Sequence, residues 1–438
     1  MTDDATLADP AAPTASAITR EVAADPRAAV GVTEACLARI AAIEDVVEAW
    51  TFVDPEHARR QAATATSGPL AGVPVGIKDI FATRDMPTEN GSHLHAGRRP
   101  EHDAAVVERL RAAGAVIMGK TVTTEFATFT PGKTRNPHDP ARTPGGSSSG
   151  SAAAVAAGMV PLALGSQTNG SVIRPASYCG VYGFKPTFGL ISRRGMTLQS
   201  PSCDQVGFFA RSLEDLARLG DVLIGHDPGD PATRPMARST LVEGLARGRE
   251  TAPRLAFAPT PVWPEAEPST RAAFTELAET LAIPILALPD TFADAIEVHR
   301  QISWAELAHH LAPEYQAGPG GLSDRLRGMI EAGQAVSAPA YLAACATMRE
   351  LRDAIARVFA EVDAIVTPAT TGEAPLGLAS TGSPIFCTIW TLLGTPTLSL
   401  PLLTGPAGMP LGVQLVGQCG SDAALLATAA RLEARLGR

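Results

Sequence analysis

The sequence predicts an α/β protein built on a layered β-sheet, and two observations carry that reading. Short apolar runs bounded by turn residues, such as Val73–Ile77, Ala115–Met118 and Leu411–Gly417, alternate along the chain with segments of helical periodicity. Hydrophobic residues make up 45% of the 438, enough to fill a sizeable core. No apolar run reaches the roughly 18 residues of a membrane span, so no spanning helix is expected.

Taken in order, residues 1–16 are rich in Ala, Pro and Thr and are expected to fray. Helical spacing from Ile18 to Ala42 breaks near Asp25-Pro26, predicting two or three helices, with Val32-Thr33 opening the one that carries Cys36, Leu37, Ile40 and Ile43. Helix resumes from Glu56 to Thr66, after which a strand of Val73, Val75 and Ile77 ends at Lys78. A helix with apolar positions Val106, Val107, Leu110 and Ala113 leads into the strand Ala115–Met118. Turn-rich Asn136–Pro140 then approaches a first Gly/Ser loop, Gly145-Gly-Ser-Ser-Ser-Gly-Ser151. Ala152–Ala157 favours helix, Val160–Leu164 reads as a short buried strand, and a second loop follows, Gly165-Ser-Gln-Thr-Asn-Gly-Ser-Val-Ile-Arg174. Leu213–Ile224 reads as a helix. From about 226 to 345, Pro-rich linkers such as Asp227–Pro235 and Pro264–Pro268 alternate with helices, and Asp422–Leu436 closes the chain as a helix.

Charge and composition exclude several functions. A net charge of −9 argues against a nucleic-acid footprint. The start, Met1-Thr-Asp-Asp, lacks the charged and apolar regions of a secretion signal, so a cytoplasmic location is expected. Six scattered cysteines form no C-x-x-C pair and read as buried thiols, not as a nucleophile or zinc site. Neither His309-His310 nor His93-Leu-His95 fits H-E-x-x-H, and no histidine stands out as the partner of a serine nucleophile.

The two Gly/Ser loops carry the chemistry. A phosphate cradle would ask for Gly-Lys-Ser/Thr or G-x-G-x-x-G, which the loops lack. Amide cleavage asks for a nucleophile, an acceptor for its proton and donors for the oxyanion. Ser171 follows Gly170, so its hydroxyl suits a tight turn on which the N–H groups of Thr168, Asn169, Gly170 and Ser171 point one way. Each such donor can be worth about 3 kcal/mol in the transition state. By itself, either loop equally suits a flexible connection, and Lys78 by itself reads as a surface residue at a strand's end.

Together these loops and Gly72-Val-Pro-Val-Gly-Ile-Lys-Asp79 resemble the amidase signature family of serine hydrolases. The resemblance extends over most of the chain, through Gly180–Thr187, Cys203–Ser212, Glu361–Pro368 and Gly394–Pro401, and fades over 226–345. It implies one domain over residues 1–438, a mixed central sheet covered by helices. Ser171 is then the nucleophile, Ser147 a bridging serine held by a cis peptide, and Lys78 a base made neutral by burial. Ser148, Ser149 and Ser151 are left to bond backbone or cap a helix. The resemblance implies a small-molecule amide substrate, no metal or organic cofactor, a homodimer, and a variable substrate mouth over 226–345.

Three departures from the family pattern narrow the resemblance. Where many relatives have Asp-x-Gly-Gly-Ser, this chain has Gln167-Thr-Asn-Gly-Ser171, and the turn is expected to survive because asparagine tolerates left-handed geometry. Thr391 stands where Asn is frequent. Arg174 lies three residues after the nucleophile instead of two, which on a helical turn places it about 60° from Ser171 in place of about 160°. With Thr381-Gly-Ser-Pro-Ile-Phe386, these features resemble malonamidase-like members and predict that Arg174 holds a substrate carboxylate. A purely structural arginine would instead pair with a carboxylate of the protein. Two other readings stand beside this one: the amidase-like component of a tRNA-dependent amidotransferase, disfavoured by acidity and by the departures around Ser171, and a non-catalytic member, disfavoured by the joint presence of Lys78, Ser147 and Ser171.

Overall fold

Period-two alternation along the strands sorts this chain into layers. In the computed structural model, which describes residues 7–235, 240–247 and 252–437, the strands are β1 (Trp50–Val53), β2 (Pro74–Lys78), β3 (Val116–Thr121), β4 (Leu162–Gln167), β5 (Tyr182–Lys185), β6 (Gln205–Ala210), β7 (Leu255–Phe257), β8 (Ala364–Pro368), β9 (Thr397–Thr404) and β10 (Pro410–Val416). They form one sheet in the order β1-β3-β2-β4-β6-β5-β9-β10-β8-β7. β2 runs parallel to β3 and β4, and β7 to β8, while the remaining neighbours are antiparallel. The sheet is therefore mixed, in a single domain.

Ile117, Leu162, Leu164 and Phe208 join the core on one face of the sheet, and their strand neighbours Val116, Met118, Ala163 and Phe209 join the core on the other. The first face is covered by the helices Ala105–Ala112, Leu213–Leu223 and Asp422–Arg435, the second by Ala28–Val47 and Ser149–Ala156. A third core forms among Ala295–His310, Ala338–Glu361 and Ile385–Leu393. Among the described residues no helix is long and apolar enough to cross a membrane.

The structure differs from the sequence reading at several elements. The helix bearing Cys36 starts at Ala28, because the turn at Asp25-Pro26 closes within three residues through Ala28 N–H to the Asp25 carbonyl at 2.9 Å. Trp50–Val53, too short to show a period, is a strand. The helix Ile385–Leu393 is a further element that the sequence reading did not include, and Phe386 through Leu393 are all buried in it. Of the segment expected to fray, residues 1–6 lie outside the described residues. From Leu7 onward the chain is tied down: Leu7 N–H donates to the Pro137 carbonyl and Asp9 N–H to that of Ala156, both at 2.8 Å, and the Ala15 and Ser16 N–H groups to the Asp215 carboxylate at 2.7 and 2.9 Å. Cys36, Cys179, Cys203 and Cys387 are buried, Cys345 is half-buried and Cys419 exposed.

Candidate active site

β2 is flanked by β3 and β4, so its last residue, Lys78, ends inside the molecule with no exposed surface. Lys78 Nζ donates to Ser147 Oγ and to Ser166 Oγ, each at 2.8 Å. Among the described residues no carboxylate pairs with it. Burial therefore drives its pKa well below the ordinary lysine value, with the nearby charge of Arg174 adding to the fall and that of Asp204 opposing it. Ser166 escaped the sequence reading, which ended the strand at Leu164. The strand runs on as Leu-Ala-Leu-Gly-Ser-Gln to Gln167, so Ser166 stands inside it.

The first loop brings Ser147 to this lysine. Its Gly146–Ser147 peptide is cis. The loop is held from two sides, by Thr124 N–H on the Ser147 carbonyl at 3.2 Å and by Arg174 Nη2 on the Gly146 carbonyl at 2.7 Å. The other serines bond backbone, Ser149 Oγ donating to the Gly145 carbonyl at 2.8 Å, Ser151 Oγ to that of Leu164 at 2.7 Å and Ser148 Oγ to that of Ser166 at 3.3 Å.

The second loop is built by side chains from distant segments. Gln167 Oε1 accepts the N–H groups of Val172 and Ile173 at 2.8 and 3.0 Å, occupying the first donors of the helix Ile173–Cys179. Gln167 Nε2 donates to Thr391 Oγ1 at 2.9 Å, and Thr391 Oγ1 in turn donates to the Asn169 carbonyl at 2.5 Å. Thr168 is clamped on both sides: its hydroxyl donates to Asp204 Oδ1 at 2.5 Å, and its carbonyl accepts from His299 Nε2 at 2.8 Å. Burial pushes the Asp204 carboxyl up to about 6 despite these donors, and lowers the His299 pKa. The N–H groups of Thr168, Asn169, Gly170 and Ser171 have no acceptor among the described residues. Asn169 keeps a negative φ, so the left-handed geometry invoked for it does not arise. The turn is fixed instead by Thr388 Oγ1, which donates to Asn169 Oδ1 at 2.6 Å. Glycine is required at 170 by packing, since a Cβ there would lie 2.8 Å from Pro384 Cβ.

Thr168, Asn169, Gly170, Ser171 and Arg174 line one narrow pocket, closed on other sides by Phe129, Gln199, His299, Trp304 and Met329. The space swept by the centre of a water molecule is about 30 Å³, room for a group of few heavy atoms. Ser171 and Ser147 share no hydrogen bond. Arg174 is 1% exposed, and its partners are neutral: the Gly382 carbonyl at 2.8 Å, the Gly146 carbonyl at 2.7 Å and Thr381 Oγ1 at 3.1 Å. Its Nε has no partner, and among the described residues no carboxylate pairs with its charge, so the expectation that a structural arginine would find a protein carboxylate is not met. Ser166, Asp204, His299 and Thr388 also contact the site and have no role in the sequence reading, although Ser166 stands in the second Gly/Ser loop and Asp204 in the stretch Cys203–Ser212; His299 and Thr388 carry no local motif.

A model of the family described as Amidase matches residues 31–426. The chain belongs to the amidase signature family. A glutamyl-tRNA(Gln) amidotransferase subunit from Chloroflexus aurantiacus is 37% identical over 94% of this chain and 94% of its own length. Among solved structures, a chain described as part of a vestigial protein complex bearing on the origins of an s-triazine catabolic enzyme superposes with a TM-score of 0.90 at 31% identity, covering 96% of this chain and 98% of that one. The peptide amidase of Stenotrophomonas maltophilia superposes with a TM-score of 0.81 at 30% identity over 94% and 96% of the two chains. As a member of this amidase family the protein is an amide hydrolase. In this amidase, a buried amine bonded to a hydroxyl, a serine on a turn whose four N–H groups have no acceptor among the described residues, and a small pocket lined by that turn are parts of the kind that acyl transfer needs.

Proposed function

We propose that this amidase hydrolyses a small carboxylic amide to the acid and ammonia through Lys78, Ser147 and Ser171, and that its substrate is malonamide- or malonamate-like. Neutral Lys78 accepts the proton of Ser147 as Ser147 accepts that of Ser171, and Ser171 Oγ attacks the amide carbonyl. The N–H groups of residues 168–171 receive the oxyanion. Ammonia leaves with the returned proton, and water hydrolyses the acyl-enzyme by the same relay in reverse. Residues from the 226–345 region, His299, Trp304 and Met329 among them, form the substrate mouth.

The observation that carries the substrate class is Arg174. A buried guanidinium bonded only to neutral oxygens is costly unless something anionic compensates it, and this one lines the pocket beside Ser171. Losing a charged contact of this kind costs about 1.5 to 3 kcal/mol, or roughly ten- to 150-fold in kcat/KM. Arg174→Ala is therefore expected to lower kcat/KM on a carboxylated amide by that factor beyond whatever it loses on a neutral amide of similar size. Equal losses on both would assign Arg174 to scaffolding and remove the carboxylate from the substrate.

A second reading is favoured by the likeness to amidotransferase subunits such as those of Chloroflexus aurantiacus and Salinispora arenicola, 37% and 35% identical. In it the chain supplies ammonia within a complex that amidates a misacylated tRNA. Release of ammonia from malonamate by the isolated chain, without partner or ATP, separates the two.

A further inference from the structure

Asn169 occupies a position where the family pattern favours glycine, and its side chain is fixed in a way that leaves donors unused. Thr388 Oγ1 lies 2.6 Å from Asn169 Oδ1, a separation that suits O–H···O and is short for N–H···O. That bond turns Oδ1 towards the helix Ile385–Leu393 and Nδ2 away from it. Nδ2 has no acceptor among the described residues, while Asn169 lines the same small pocket as Ser171 and Arg174. Arg174 is anchored to the same stretch of chain, at Thr381 Oγ1 and the Gly382 carbonyl, with its Nε left over. Pro384 sits between the two anchorage points and lines the pocket as well. Residues 381–388 thus anchor both the Asn169 amide and the buried Arg174 cation, and Asn169 and Arg174 line the same small pocket.

We propose that Asn169 is a specificity-determining residue whose Nδ2 donates to one oxygen of the substrate's carboxylate while Arg174 holds the other. This rests on the reading of the substrate as a carboxylated amide. It adds a hydrogen bond that a glycine at this position could not make, and it accounts for Thr388 fixing the amide orientation. Asparagine suits the task because it donates without adding a second buried charge.

The test compares kcat/KM on malonamate with kcat/KM on butyramide, for the full chain and for Asn169→Ala, Asn169→Asp and Arg174→Ala. Asn169→Asp is nearly isosteric and keeps an acceptor for Thr388, so it carries the test if the alanine variant fails to fold. The malonamate-to-butyramide ratio is expected to fall about tenfold in Asn169→Ala and further in Asn169→Asp, where a carboxylate faces a carboxylate. The aspartate variant is also expected to raise the relative rate on β-alaninamide, which carries an ammonium in the same place. If Arg174→Ala loses the ratio while both Asn169 variants keep it, the role of Asn169 is overturned and the carboxylate reading stands. If no variant changes the ratio, or the unaltered protein does not prefer malonamate, the carboxylate reading fails and this inference with it.

Discussion

Lys78 and Lys120 end neighbouring parallel strands, with Lys120 opposite Ile77 and Lys78 opposite Thr121, and both are wholly buried. Their surroundings part from there. Lys120 Nζ lies 3.0 Å from Asp79 Oδ1 and donates to the Phe81 and Pro87 carbonyls at 3.0 and 3.1 Å and to Thr88 Oγ1 at 2.6 Å. Lys78 meets two hydroxyls and no carboxylate. Burial lowers both pKa values, but at Lys120 the Asp79 charge works against it, and the same pairing restrains the burial-driven rise at Asp79. One lysine is a paired ion that ties a loop to the sheet, and the other is the base of the mechanism proposed above. A third, Lys185, has a lowered pKa without such a setting. Burial brings it to about 7, yet its partners are Gln205 Oε1 and the Thr395 carbonyl, oxygens with no proton to give. What sets Lys78 apart is a lowered pKa together with two hydroxyl partners and, among the described residues, no carboxylate partner.

The contrast breaks most sharply on paired substitutions. Lys78→Met is expected to lower kcat by about 10³-fold or more, as for the loss of a base that activates a nucleophile, with the protein still folded. Lys120→Met is expected to leave the turnover of folded molecules near that of the unaltered protein. It strands the Asp79 carboxylate in the core, so stability should fall by about 3 to 5 kcal/mol, read from urea unfolding. If Lys78→Met unfolds the chain while Lys120→Met stops turnover, the two roles are reversed.

Smaller effects lie in the pH dependence. A folded Lys78 binds its proton less tightly than an unfolded lysine at 10.5, so between the two values the unfolded chain holds the extra proton and stability rises with pH. The Tm of the unaltered protein should therefore rise relative to that of Lys78→Met as pH is raised from 7 towards 10, and a constant difference would mean that Lys78 is charged in the fold. For the rate, kcat/KM should climb as pH rises through the lowered lysine pKa. Asp204→Asn keeps an acceptor for Thr168 but removes the charge that favours protonated Lys78, so the acid limb of the profile should move to lower pH. That shift should be measured above about 6, where Asp204 is ionised. A limb that stays in place would show that Asp204 acts only as a clamp on the turn.

By itself the sequence determined the layered α/β class, the strand that ends at Lys78, the helix after the first loop and the pairing of two serine loops. Each of these depends on periodicity or on residues close together in the chain, where glycine, proline and apolar spacing act over a few positions. It also pointed to Lys78, Ser147 and Ser171, through resemblance and not through any local rule. Only the tertiary structure decided what surrounds them. Ser166 faces Lys78 because β2 and β4 are parallel neighbours, and Asp204, His299, Thr388 and Thr391 fix the second loop from segments 36 to 222 residues away. Whether a buried lysine is a paired ion or a neutral base depends on the presence of a carboxylate within a few ångströms, and Coulomb energy falls with distance in space, not along the chain. Lys78 and Lys120 look alike as strand-end lysines in the sequence, and folding sets a carboxylate beside one and two hydroxyls beside the other.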